Sequence, residues 1–126
     1  MNFNDKKILY VDDNKMMLSL FTKQLGRDYN ITLVDTFDNA KTVIDILKQK
    51  SYDLIIADDM MPEMSGTELM KTLKSDPDFT TPIVVLTGND QIANPREHYL
   101  NEGFDEFIAK PINSAELERV LDLFLN

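Results

Sequence analysis

Cysteine is absent from the 126 residues and histidine occurs once. Without cysteine there is neither a disulfide framework nor thiolate chemistry, which fits a reducing cytoplasm. The opening segment from Met1 to Lys7 lacks the apolar core of a signal peptide, and no later run approaches the length of a membrane span. A soluble cytoplasmic module with no membrane contact is therefore expected. Basic side chains are also in short supply: 13 against 22 acidic ones leave a net charge of −9. That balance repels nucleic acid phosphates and anionic lipid, so direct DNA binding is not expected, and it favours cations or basic partner surfaces. Repeats and low-complexity segments are missing too. A chain of this length with 43% hydrophobic residues fits one domain over residues 1–126, large enough to bury its own core, with no room for a second effector domain.

Short apolar runs instead alternate with amphipathic stretches from end to end, the pattern of a parallel α/β sheet. The runs predict strands at Lys7 to Val11, Ile31 to Asp35, Leu54 to Asp58, Ile83 to Thr87 and Glu106 to Ala109, each apolar enough to be buried on both faces. A first helix carries Leu18, Phe21 and Leu25 inward and stops at Gly26; a second buries Ala40, Val43, Ile44 and Leu47 behind an Asp38 cap. Ser65 with Glu68 forms a capping box for a third. Pro95 after Asn94 opens a fourth, ending at Gly103, and Asn113 caps a fifth that buries Leu117, Val120, Leu121 and Phe124. The count closes as (βα)5. Right-handed crossovers then predict a doubly wound five-stranded parallel sheet in the flavodoxin-like order 2-1-3-4-5.

Chemistry gathers where these strands end. The first strand runs into Asp12-Asp13 and the third into Asp58-Asp59, followed by a loop from Pro62 to Gly66. In the predicted order the two strands are adjacent, so three carboxylates converge on one crevice. Two unit charges about 4 Å apart repel by roughly 1 kcal/mol in water and roughly 4 kcal/mol at a semi-buried site, so the cluster calls for a cation or a raised pKa. All-oxygen ligands point to Mg²⁺ or a similar hard ion, which commonly bridges carboxylates and a phosphate. The fourth strand adds Thr87-Gly88 and the fifth Lys110-Pro111. A carboxylate nucleophile, a metal, a hydroxyl and an ammonium are the parts needed to move a phosphoryl group.

With Asp12-Asp13, Asp58, Met61-Pro62, Gly66, Thr87 and Lys110-Pro111 in these places, the chain resembles a receiver domain of the two-component response-regulator family, of the chemotaxis-regulator-like single-domain kind. The resemblance implies that Asp58 accepts phosphate from a phosphohistidine on a histidine kinase or histidine phosphotransfer protein. It implies further that Asp13 and Asp58 bind Mg²⁺ with the backbone carbonyl of Met60, that Asp12 contributes through bound water, and that Thr87 and Lys110 grip the phosphoryl oxygens. The Lys110-Pro111 bond is then expected to be cis, a state with a small penalty only before proline. Such a protein is a signalling switch that catalyses only its own phosphorylation and dephosphorylation.

Three positions depart from the family pattern. Asp59 stands where an apolar residue is usual and rivals Asp58, but the family's Met-Pro pair begins three residues after the acceptor, which selects Asp58; neighbouring strand residues also face opposite ways. Phe107 replaces the tyrosine that in many relatives swings inward on activation, and is expected to act with Thr87 in the switch with weaker coupling. Gly88 replaces a small alanine or serine and is expected to loosen its loop. His98, in the fourth helix, reads as a solvated side chain without a role.

Met16 and Leu20 fall opposite the buried stripe of the first helix, beside the acid pair, and are expected to dock the histidine-bearing donor. A second surface, over the fourth helix, fifth strand and fifth helix near Ile92, Tyr99, Phe107 and Ile112, is expected to meet a downstream target or a second copy. Two other readings compete. A phosphohydrolase working through an aspartyl phosphate usually has two acids one residue apart on a single loop, together with a lid, and neither is visible. A pure interaction module with a vestigial site does not explain why Asp12, Asp13, Asp58, Thr87 and Lys110 are all present.

Overall fold

In the computed structural model, which describes residues 3–126, strands and helices alternate along the whole chain. The elements are β1 (Lys7–Val11), α1 (Lys15–Tyr29), β2 (Leu33–Phe37), α2 (Ala40–Ile46), β3 (Leu54–Ala57), α3 (Gly66–Lys74), β4 (Ile83–Thr87), α4 (Pro95–Glu102), β5 (Glu106–Ala109) and α5 (Ser114–Leu125). Every strand pair is parallel and the order is β2-β1-β3-β4-β5, as the alternation predicts. The first two residues of the Met1-to-Lys7 segment lie outside the described residues. Among the described residues, no helix is long and apolar enough to cross a membrane.

Successive strand residues face opposite sides of the sheet, and each side builds its own core. Ile8, Tyr10, Ile56, Val84, Leu86 and Ile108 pack under α1 and α5 with Phe21, Leu25, Leu117 and Leu121. Leu9, Val11, Ile55, Val85 and Phe107 pack on the other side with Val43 of α2, Leu69 of α3 and Tyr99 of α4.

The register is what positions the site. Val11 lies opposite Ala57, so the next residues, Asp12 and Asp58, leave the sheet side by side. The Asp58 N–H still donates to the Val11 carbonyl at 3.0 Å, although β3 itself ends one residue earlier than expected. Thr87 lies opposite Ala109, and the following Lys110 donates its N–H to the Thr87 carbonyl at 3.0 Å.

Several sequence expectations are corrected. α1 does not stop at Gly26 but runs to Tyr29, whose ring joins the core, and closes at Asn30 with φ 56°. Ile31 N–H then returns to the Leu25 carbonyl at 3.1 Å, with Ile31 itself buried beside the helix end. Ile31 thus serves the cap, and β2 starts at Leu33 and extends to Phe37. β2 is also not buried on both faces, because it is the edge strand and its residues range from half-buried to exposed. The cap of α2 is Asn39, whose side chain accepts from Thr42 N–H at 2.9 Å; Asp38 instead accepts from the Asn39 amide. Ile44, Leu47 and Phe124 are half-buried at the core margin. The fifth strand is not wholly apolar: Glu106 is buried, and its carboxylate meets Arg96 of α4 at 2.9 Å and Arg119 of α5 at 3.1 Å. Burial raises the pKa of Glu106, but Arg119, the Phe107 N–H and Arg96 together outweigh that and hold it below the usual carboxylate range. The capping box of Ser65 with Glu68, the Pro95 start, the Gly103 stop and the Asn113 cap all form as the sequence indicates.

Candidate functional site

Asp12, Asp13 and Asp58 each offer a carboxylate oxygen, and these oxygens lie within 4.8 Å of one another. Asp12 and Asp58 are buried and Asp13 is exposed, so the cluster opens to solvent on one side. Asp12 is fully engaged. Its Oδ1 accepts from Asn14 N–H at 2.9 Å, while its Oδ2 accepts from the Tyr10 hydroxyl at 2.8 Å and from Lys110 Nζ at 2.7 Å. Burial, followed by the Asp12 charge and its hydrogen bond, drives the Tyr10 hydroxyl pKa far upward, so it stays a donor. Lys110 Nζ also stands 3.5 Å from Asp58 Oδ2.

Asp58 is freer. Its one described hydrogen bond is a long one, 3.4 Å from the Met60 N–H to Oδ1. Burial raises its carboxyl above the usual range, Lys110 opposes that, and the Asp12 charge adds to the rise. The Thr87 hydroxyl is near enough to favour ionised Asp58, yet among the described residues it meets no partner at hydrogen-bonding geometry, and it is only 2% exposed. A buried hydroxyl without a partner is costly, so Thr87 is a donor held in reserve beside the acid. Met60 points its side chain to solvent, and the Lys110-Pro111 bond is cis.

The backbone under Asp58 is held by Gly66, the first residue of α3. A Cβ there would sit 2.3 Å from the Asp58 carbonyl oxygen and 2.9 Å from Asp59 Cα, so only glycine allows α3 to abut the loop this closely. Gly88 has open surroundings by comparison, its nearest neighbour being Lys110 Cβ at 3.5 Å.

Asp59, for which the sequence offers no partner, has several. Its Oδ1 accepts from Thr67 N–H at 2.9 Å and Thr67 Oγ1 at 2.7 Å; its Oδ2 accepts from the Tyr99 hydroxyl at 2.9 Å. Tyr99 is fully buried, stacks on Phe107 with ring centroids 5.8 Å apart, and has its hydroxyl pushed up to about 12 by that burial. Tyr99 is therefore a core residue rather than part of an outer surface, while Phe107 is largely buried and keeps 7% of its surface open. Ile92 and Ile112 are half-buried against opposite cores, so the four residues grouped in the sequence form no common patch. What α4 and β5 leave open is a groove lined by Arg96, Leu100, Asn101 and Phe107. His98 is exposed, as expected.

Met16 and Leu20 are 71% and 56% exposed on α1. Leu20 borders an apolar groove shared with Met17, Phe21, Pro111 and Ile112, and that groove reaches Lys110 at the site. Tyr10 could have been anticipated: a buried tyrosine needs a partner, and Asp12 is two residues on, along the same strand face. The partnership of Asp59 with Tyr99, 40 residues away, leaves no mark in the sequence.

A sequence model of the response regulator receiver domain matches residues 8–122. The chain is 35% identical over 109 residues to the heme response regulator HssR of Staphylococcus saprophyticus, a match covering 86% of this chain and 46% of that protein. It is 37% identical over 110 residues to histidine kinase P4 of Formosa agariphila, covering 86% of this chain and 8% of the kinase. The chain thus spans about half the length of the former and a small part of the latter. Among solved structures, the receiver domain of a sensor histidine kinase from Pseudomonas aeruginosa, described with a magnesium ion coordinated in its active-site cleft, superposes with a TM-score of 0.80. That match is 25% identical and covers 95% of this chain and 97% of the other.

Proposed function

The chain belongs to the response regulator receiver domain family, whose members act as switches in two-component signalling, and from that membership we propose that Asp58 is its phosphoacceptor. The observation that carries this reading is the uneven use of the clustered acids. Asp12 spends both oxygens on Tyr10, Asn14 and Lys110, whereas Asp58 keeps a lightly hydrogen-bonded carboxylate beside a free hydroxyl and an ammonium. An Asp58 oxygen attacks the phosphorus of a phosphohistidine; the P–N bond breaks as the O–P bond forms, and the imidazole leaves with the bonding pair. Lys110 can turn from Asp58 toward the arriving phosphoryl oxygens, and the Thr87 hydroxyl donates to another, gaining the acceptor it lacks.

Asp12, Asp13 and Asp58 suit a divalent ion, because their donors are all oxygen and gather within 4.8 Å with Lys110 the one counter-charge paired to them among the described residues. Asp13, Asp58 and the Met60 carbonyl would hold Mg²⁺, with Asp12 contributing through bound water; the ion when bound neutralises charge on the acids and the phosphoryl oxygens. Slow hydrolysis of the acyl phosphate then resets the switch. The donor docks at Met16 and Leu20, supported by their exposure and by the apolar groove leading from Leu20 to Lys110. The downstream partner reads the α4, β5 and α5 face, supported by the open groove at Arg96 and Leu100.

The test is a labelling experiment with acetyl phosphate and Mg²⁺. One acid-labile, hydroxylamine-sensitive phosphate per chain is expected; steady turnover of a phosphomonoester without such a label favours a phosphohydrolase instead.

A further inference from the structure

α4 packs against β5 through few side chains of its own. Its N-cap Asn94 makes no side-chain cap bond, and Tyr99 is the one residue it buries. That residue is fixed at both ends. Its ring lies between Phe104 and Phe107, stacked on the latter at an interplanar angle of 11°. Its hydroxyl donates to Asp59 Oδ2 at 2.9 Å and lies 3.4 Å from the Asn89 amide nitrogen. Asp59 is the residue after the proposed acceptor, and it also caps α3 through Thr67. Asn89 is two residues after Thr87, the side chain with a hydroxyl in reserve. Tyr99 therefore touches both loops that must respond when a phosphoryl group arrives.

We propose that the Tyr99 hydroxyl, held between Asp59 and Asn89, is the link through which α4 senses the state of Asp58, taking the coupling part for which Phe107 has no hydroxyl. This rests on Asp58 being the acceptor. A phosphoryl group on Asp58 gives the Thr87 hydroxyl an acceptor and draws the β4–α4 loop inward. Asn89 moves with that loop, and its contact with the Tyr99 hydroxyl changes. Because Tyr99 is the sole buried anchor of α4, a change at its hydroxyl shifts the whole helix. Other ties of α4, among them Arg96 to Glu106, Glu102 to Lys71 and the Lys74 ammonium to the carbonyl of its C-cap Gly103, hold it to β5 and α3.

Amide hydrogen exchange of α4 decides the matter, on the protein with and without beryllofluoride plus Mg²⁺ as a phosphoryl mimic. Tyr99→Phe keeps the ring and its packing and removes only the hydroxyl. In the unliganded protein it is expected to speed α4 exchange about tenfold, the size for a lost bond to a charged partner. Combined with Asp59→Ala it should add little further, since the two residues share one bond. Adding the mimic to wild type is expected to alter α4 exchange, and in Tyr99→Phe that response disappears while the Thr87 loop still responds. Arg96→Met is the control: it loosens α4 but leaves its response intact. Unchanged exchange in unliganded Tyr99→Phe, or a response kept at more than about half its wild-type size, overturns the proposal. Intact-mass labelling of the same variants judges Asp58 separately: phosphate on another residue removes the acceptor reading while the unliganded measurement still tests the bond.

Discussion

Asp58 carries a carboxylate into a buried acidic cluster, and ionising it there works against folding. Burial sets its pKa above the unfolded value, Lys110 opposes this, and Asp12 adds to the rise. The sign follows: between the two pKa values the native state keeps a proton that the unfolded state has released, so stability falls as pH rises through that window. Asp58→Asn removes the titration. It is expected to raise the melting temperature near neutral pH, with a gain that fades below about pH 4, the ordinary carboxylate range. Thermal melts against pH in the presence of a chelator check this, and a gain that grows on acidification contradicts it. At this scale much of the site is legible in the sequence, because Asp12, Asp13, Asp58, Thr87 and Lys110 each follow an apolar run, and a parallel sheet delivers all such ends to one edge. Asp59 is not legible. Its chemistry is set by Tyr99 of α4, and only tertiary packing brings that hydroxyl to it.

The elements bring these residues together through close backbone fits as well as hydrogen bonds. α3 can start against Asp58 only because residue 66 has no Cβ. Gly66→Ala is expected to destabilise the fold by about 1–3 kcal/mol, the usual penalty of overpacking, and to weaken Mg²⁺ binding by displacing the Asp58 backbone. Urea denaturation and calorimetric Mg²⁺ titration measure the two effects, and a variant with wild-type values in both contradicts the fit. Element type is well encoded by periodicity, but some boundaries are not. Gly26 looks like a stop, yet Tyr29 gains burial by continuing the helix, and Asn30 accepts the left-handed turn instead. Asp38 and Asn39 are both capable caps, and backbone geometry at Asn39 decides between them. The charge within the fifth strand is tolerated because Arg96 and Arg119 converge on Glu106 from two different helices, a pairing no local pattern announces.

For the whole molecule, the strand ends gather the acidic cluster, and the proposed partner surfaces lie on separate faces beside it. Replacing Met16 and Leu20 with polar residues is expected to slow phosphotransfer from a histidine-bearing protein donor while sparing phosphorylation by acetyl phosphate. Side chains this exposed contribute little to the fold, so equal losses with both donors contradict docking there. The central claim is that a fold delivering two neighbouring acids from β3 uses one of them. Its most direct measurement is acid-labile, hydroxylamine-sensitive phosphate on wild type, Asp58→Asn and Asp59→Asn, treated alike with acetyl phosphate and Mg²⁺. The expected result is label on wild type and Asp59→Asn and none on Asp58→Asn; label that persists in Asp58→Asn and vanishes in Asp59→Asn contradicts it.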